Sequence, residues 1–205
     1  MNRHGAVRTI TKTASYTGVT TKLILPTTAN YVNGYVDWYL GIGDATIESG
    51  ISYSYEGFKV FLGSTYGKVS TYNESHPVAS LAKGQTVDLK LTYNHSTHRV
   101  TLYVNGSPLP WTDNVDIGDA SKQLSTYNKI KMVHGVQDQG GSSYSQASFS
   151  QTQLRMDTAG AVYNTWTDNL SETAKVPVGT DADPTSADKF TVYNFAPLIT
   201  KLDPA

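Results

Sequence analysis

From Gly34 to Gly43 the chain reads Gly-Tyr-Val-Asp-Trp-Tyr-Leu-Gly-Ile-Gly, and from Ile47 to Tyr55 it reads Ile-Glu-Ser-Gly-Ile-Ser-Tyr-Ser-Tyr. Both runs alternate large apolar with polar residues, the period of a β-strand with two unlike faces. Val36, Trp38, Leu40 and Ile42 share one side, while Tyr35, Asp37 and Tyr39 share the other. The first side is suited to a core. The second gathers phenols and a carboxylate, the chemistry of a surface for a polar, hydroxylated ligand. In the second run Glu48 keeps the register of Gly50, Ser52 and Ser54, which turns it away from Ile47, Ile51 and Tyr53.

Further strands are expected at 7–14, 19–25, 58–66, 87–93, 99–105, 129–136, 145–156 and 190–202, and helical periodicity is almost missing. Asn33-Gly34, Glu56-Gly57, Lys83-Gly84 and Asn105-Gly106 supply the Gly-bearing turns of antiparallel hairpins. In the clearest hairpin Val87, Leu89 and Leu91 face Val100, Leu102 and Val104. Between Ser145 and Met156 the apolar parity slips, with Ala147 and Phe149 on odd positions but Leu154 and Met156 on even ones, so a bulge or a change of sheet is expected near Gln151. The pattern is all-β: an antiparallel two-sheet β-sandwich of jelly-roll type. It predicts one domain over 1–166. Residues 167–205 are read as a long loop plus a C-terminal edge strand packed on the same domain.

Composition narrows the partners. The chain has 205 residues, enough for one sandwich burying roughly 70% of its unfolded surface. Its net charge of -1 gives no electrostatic footprint for nucleic acid. No apolar run reaches the ~20 residues of a membrane span. Cysteine is absent, so disulfides, zinc thiolates and thiol nucleophiles are ruled out. Fourteen tyrosines against five phenylalanines favour wet aromatic surfaces. An extracellular or cell-surface setting in a bacterium is the expectation, with any signal peptide removed, since the first residues carry no apolar segment.

The candidate binding residues are Tyr35, Asp37, Tyr39, Glu48 and Lys131. Trp111, Tyr103 and Trp166 are further rings that a sugar could stack on. Glu48 and Glu56 are the candidate catalytic carboxylates, with Glu48 to be paired with Asp37 or with Glu56, because glycoside hydrolysis needs two carboxyl groups about 5 to 9.5 Å apart. Asp113, Asp116 and Asp119 are weak calcium candidates, since no EF-hand spacing accompanies them; no other cofactor is expected. His-Glu-x-x-His and Gly-x-Ser-x-Gly are both missing.

The hairpin over 87–105, ending Leu102-Tyr-Val-Asn-Gly106, resembles β units of the concanavalin A-like lectin and glucanase superfamily. Trp38-Tyr-Leu-Gly-Ile-Gly43 followed by Ile47-Glu-Ser-Gly-Ile51 is similar to the eqolisins, or glutamic peptidases, whose strands carry a catalytic Gln and, later, a catalytic Glu. Here Glu48 stands at the Gln position, and the run Lys129-Ile-Lys-Met-Val133 offers no carboxylate for the second. That resemblance implies the sandwich without the catalytic pair, and an ion pair between Glu48 and Lys129 or Lys131 in its place. The whole also resembles YrpD-type secreted bacterial proteins, which implies secretion and no chemistry. The leading expectation is a non-catalytic module binding a polysaccharide or cell-envelope glycan. A divergent hydrolase using Glu48 comes second, and a structural surface protein self-associating through its edge strands comes third.

Overall fold

The computed structural model describes residues 3–43, 46–64, 72–109, 124–156, 161–176 and 189–204. Sixteen strands form among them: β1 (Arg3–Thr11), β2 (Gly18–Ile24), β3 (Ala29–Asn30), β4 (Tyr35–Ile42), β5 (Ile47–Ser54), β6 (Gly57–Ser64), β7 (Tyr72–Pro77), β8 (Thr86–Asn94), β9 (Arg99–Val104), β10 (Ser107–Pro108), β11 (Ile130–Asp138), β12 (Ser143–Met156), β13 (Val162–Thr165), β14 (Ser171–Val176), β15 (Phe190–Phe195) and β16 (Leu198–Leu202). Two antiparallel sheets result. One runs β14-β1-β11-β4-β5-β6-β7; the other runs β10-β9-β8-β2-β12-β16-β15, with β3 and β13 also paired to β12. No helix among the described residues is long and apolar enough to cross a membrane.

The alternation at 35–42 decides where β4 lies. Val36, Trp38, Leu40 and Ile42 are fully buried between the sheets, and β4 pairs with β11 on one side and β5 on the other. From the second sheet Leu23, Leu89, Leu91, Tyr93 and Phe149 fill the same core. Each such side chain contributes about 1.5–3 kcal/mol by leaving water. Where the parity slips, the register of β12 against β2 shifts between Ser150 and Gln153, and Gln151 takes a positive φ of 50°. That is the bulge the sequence demands.

Two of the four Gly-bearing turns close hairpins: Glu56-Gly57 joins β5 to β6, and Asn105-Gly106 joins β9 to β10. Asn33-Gly34 and Lys83-Gly84 instead lie in connections between strands of different sheets. The chain end also differs from expectation. Ser171–Val176 pairs with β1 as an edge of the first sheet, and residues 190–202 fold into a hairpin, so that β16 is interior and β15 is the edge. Neither edge strand alternates cleanly, because one or both of its faces meet water. Trp166, read as a stacking ring, is core: it is buried, and its indole N–H donates to Ser171 Oγ at 2.8 Å.

One buried polar cluster lies between the sheets. Thr200 Oγ1 stands 2.7 Å from both His134 Nδ1 and Tyr144 Oη, and His134 packs against Phe149 with ring centroids 5.0 Å apart. Burial lowers the His134 pKa from 6.5 to about 3. Between those values the unfolded chain binds a proton that the folded chain refuses, so the contribution present above pH 6.5 is lost as pH falls toward 3. A His134→Gln variant is expected to show a shallower fall of Tm between pH 6.5 and 4 than the parent. Equal slopes in thermal melts would remove His134 as the cause.

Candidate functional site

The outward side of the seven-stranded sheet is built in cross-strand rows. In one row Lys131 pairs in register with Gly41, and Gly41 pairs with Glu48. Gly41 has no side chain to stand between them. Lys131 Nζ therefore reaches Glu48 Oε1 at 2.5 Å, an ion pair whose side chains are 5% and 18% exposed. Lys129, the other candidate partner, goes elsewhere, to Glu172 at 3.8 Å.

The next row holds Arg8, Val133, Tyr39, Gly50 and Phe61. Gly50 leaves room for Tyr39, because a Cβ there would lie 2.6 Å from the Tyr39 Cβ. The ring meets Phe61 edge-on at 5.7 Å, and Lys131 Nζ lies 5.7 Å from its centroid. Beyond it comes the row of Ala6, Gly135, Asp37, Ser52 and Lys59. Here the carboxyl occupies space that Gly135 leaves: a Cβ on Gly135 would fall 2.3 Å from Asp37 Oδ1. In the last row, His4, Gln137 and Tyr35, the Tyr35 hydroxyl donates to Gln137 Oε1 at 2.6 Å.

Electrostatics divides the two carboxyl groups. Burial, helped by the Glu48 charge and opposed by Lys131, raises the Asp37 pKa from 3.8 to about 8. At pH 7 Asp37 therefore favours its protonated form, while Glu48 is ion-paired. The phenols of Tyr35 and Tyr39 are also pushed above the ordinary tyrosine range, by burial first and then by nearby carboxylates.

Tyr35, Asp37, Tyr39, Glu48 and Lys131 thus share one face of one sheet. Glu56 does not join them. It sits at the β5–β6 turn, ion-paired with Lys59, and the six steps from Glu48 to Ser54 already span about 20 Å at ~3.3 Å per residue. A two-carboxylate reaction by Glu48 and Glu56 is excluded by that distance. Tyr103 belongs to the other sheet, with Lys90 Nζ 3.9 Å from its ring centroid. Trp111 and the calcium candidates Asp113, Asp116 and Asp119 lie outside the described residues. Among the described residues no cluster of three or more His, Asp or Glu could hold a metal ion.

Sequence reasoning missed His4, Arg8, Phe61, Gly135 and Gln137. The odd-even alternation of Arg8 against Val7 was available, but the pairing of β1 with β11 joins segments more than a hundred residues apart, and no local pattern encodes it.

No family model matches the chain, and no curated protein sequence matches it either. Solved structures do. Scytalido-glutamic peptidase with a peptide-based transition-state analogue superposes with a TM-score of 0.64 at 10% identity, covering 99% of this chain and 100% of that one. SCP-B, a member of the eqolisin family of peptidases in complex with the tripeptide Ala-Ile-His, gives 0.62 at 10% identity with the same coverage. The chain has the eqolisin sandwich fold. Sheep galectin-11 in complex with glycerol matches at 0.41 and 12% identity over 72% of this chain and 95% of its own. At these identities the likeness concerns the fold, and function has to be argued from the site.

Proposed function

We propose that the outward face of the seven-stranded sheet binds a polysaccharide or cell-envelope glycan, and that the protein is a secreted or cell-surface module without catalytic activity. The observation that carries this reading is the Lys131–Glu48 ion pair, set beside Tyr35, Asp37 and Tyr39 on one face. A carboxylate whose charge is already compensated is a poor general base, yet it still accepts hydrogen bonds from ligand hydroxyls. The half-buried Tyr39 and Tyr35 offer flat apolar area to the C–H faces of sugar rings.

The test is retention on insoluble β-1,3-glucan, cellulose and chitin. Wild type is expected to be retained on at least one of them, and Tyr39→Ala to lose about tenfold or more in affinity, the scale of one lost stacking ring. Retention unchanged in Tyr39→Ala, with the fold intact by circular dichroism, would move the binding surface elsewhere. Concentration-dependent assembly with no glycan affinity would favour self-association.

A divergent hydrolase is the second reading, and one observation favours it: Asp37, its pKa raised by burial, lies beside a Glu48 held in an ion pair, two carboxyl groups in the unlike environments that acid–base catalysis uses. Asp37 would serve as the acid. Turnover of protein or β-glucan substrates that disappears in both Asp37→Asn and Glu48→Gln would establish it over binding alone.

A further inference from the structure

We infer that Asp37 is the specificity-determining contact of this face, donating a hydrogen bond from a neutral carboxyl to an acceptor oxygen (ring, ether or acyl) of an uncharged ligand. The inference rests on the binding reading above and adds to it the polarity the ligand must present at one point.

The geometry comes first. The carboxyl lies in the middle of the face, in the gap left by Gly135 and between the rows of Tyr35 and Tyr39. Among the described residues none hydrogen-bonds it or forms an ion pair with it, whereas the neighbouring phenol and carboxylate are each engaged, Tyr35 with Gln137 and Glu48 with Lys131. A half-buried carboxylate without donors is costly, and a proton removes most of that cost. The acid form then presents an O–H that no described residue accepts. Burial and the Glu48 charge keep that proton in place up to a pKa of about 8.

The groups that face Asp37 are Tyr35 and Tyr39 on β4, Glu48 on β5, Lys59 on β6, Lys131 on β11, and His4 and Arg8 on β1. Both phenols are held above the usual tyrosine range, so they stay protonated while Asp37 titrates.

The experiment measures affinity for whichever of β-1,3-glucan, cellulose and chitin retains the wild type, at pH 7 and pH 9.5. Wild type is expected to weaken about thirtyfold, the drop in the protonated, binding-competent fraction across a pKa of about 8. Asp37→Asn, which keeps a neutral donor at every pH, is expected to bind within about twofold at both. Equal wild-type affinity at the two pH values, or an Asp37→Asn variant as pH-sensitive as wild type, overturns the assignment and leaves glycan binding standing. No retention at either pH overturns the binding reading and the assignment with it. Independently of any ligand, a carboxyl-carbon NMR titration of free protein should place the Asp37 midpoint near 8; a midpoint in the ordinary aspartate range overturns the assignment.

Discussion

Replacing Lys131 with Met is expected to cost about 3 kcal/mol of folding stability, read as a drop in the urea midpoint at pH 7. Removing one member of a buried pair leaves the other charge uncompensated, which costs about 3–5 kcal/mol. The lower end applies because the Glu48 side chain keeps 18% of its exposure. The loss is specific to the charge: it should be largely recovered in Lys131→Met/Glu48→Gln, where no charge remains to strand. A double variant as unstable as the single would mean that Lys131 acts through its packing stem, not through the ion pair.

The second large effect separates two glycines that look alike in sequence. A Cβ on Gly50 would lie 2.4 Å from the Trp38 carbonyl oxygen and 2.5 Å from the Tyr39 Cα, both backbone atoms of the neighbouring strand. Gly50→Ala can be accommodated only by parting β4 from β5, and is expected to destabilise by about 3 kcal/mol or more. On Gly135 the Cβ meets Asp37 Oδ1 at 2.3 Å, the far end of a side chain that can turn aside. Gly135→Ala should therefore cost about 1 kcal/mol or less, while it drives the carboxyl toward solvent and its pKa back down toward 3.8. Chemical denaturation of the two variants, with an NMR titration of Asp37 in the second, measures both. Similar stability losses in the pair would show that the gap beside Asp37 is closed by backbone and not by its side chain.

How much of this was legible beforehand depends on whether a local pattern carried it. Strand 35–42 and the outward register of Glu48 follow from period-two alternation, because one face is fully buried and a slip by one residue would expose Trp38. The same logic located the bulge at Gln151. Strands at the sheet margins left no such trace: Tyr72–Pro77 and Ser171–Val176 carry Asn, Glu, Ser, His and Lys in mixed order, as suits strands with little to bury. The lysine opposite Glu48 was narrowed to Lys129 or Lys131, and the register of β11 on β4 places Lys131 with it. Resemblance, not periodicity, brought Glu48 and that lysine run together. The raised pKa of Asp37 emerged only in three dimensions, since it comes first from burial, in the gap beside Gly135, and then from Glu48 on the other neighbouring strand.

The face is assembled from three stretches of chain far apart in sequence: β1 near the start, β4 to β6 in the first third, and β11 past residue 130. A polypeptide cut between Glu48 and Ile130 would keep Tyr39 and Glu48 but leave the carboxylate without Lys131 and Asp37 without the gap at Gly135. Assembly of this face is therefore a late property of the maturing chain, one that no nascent or clipped amino-terminal portion can show.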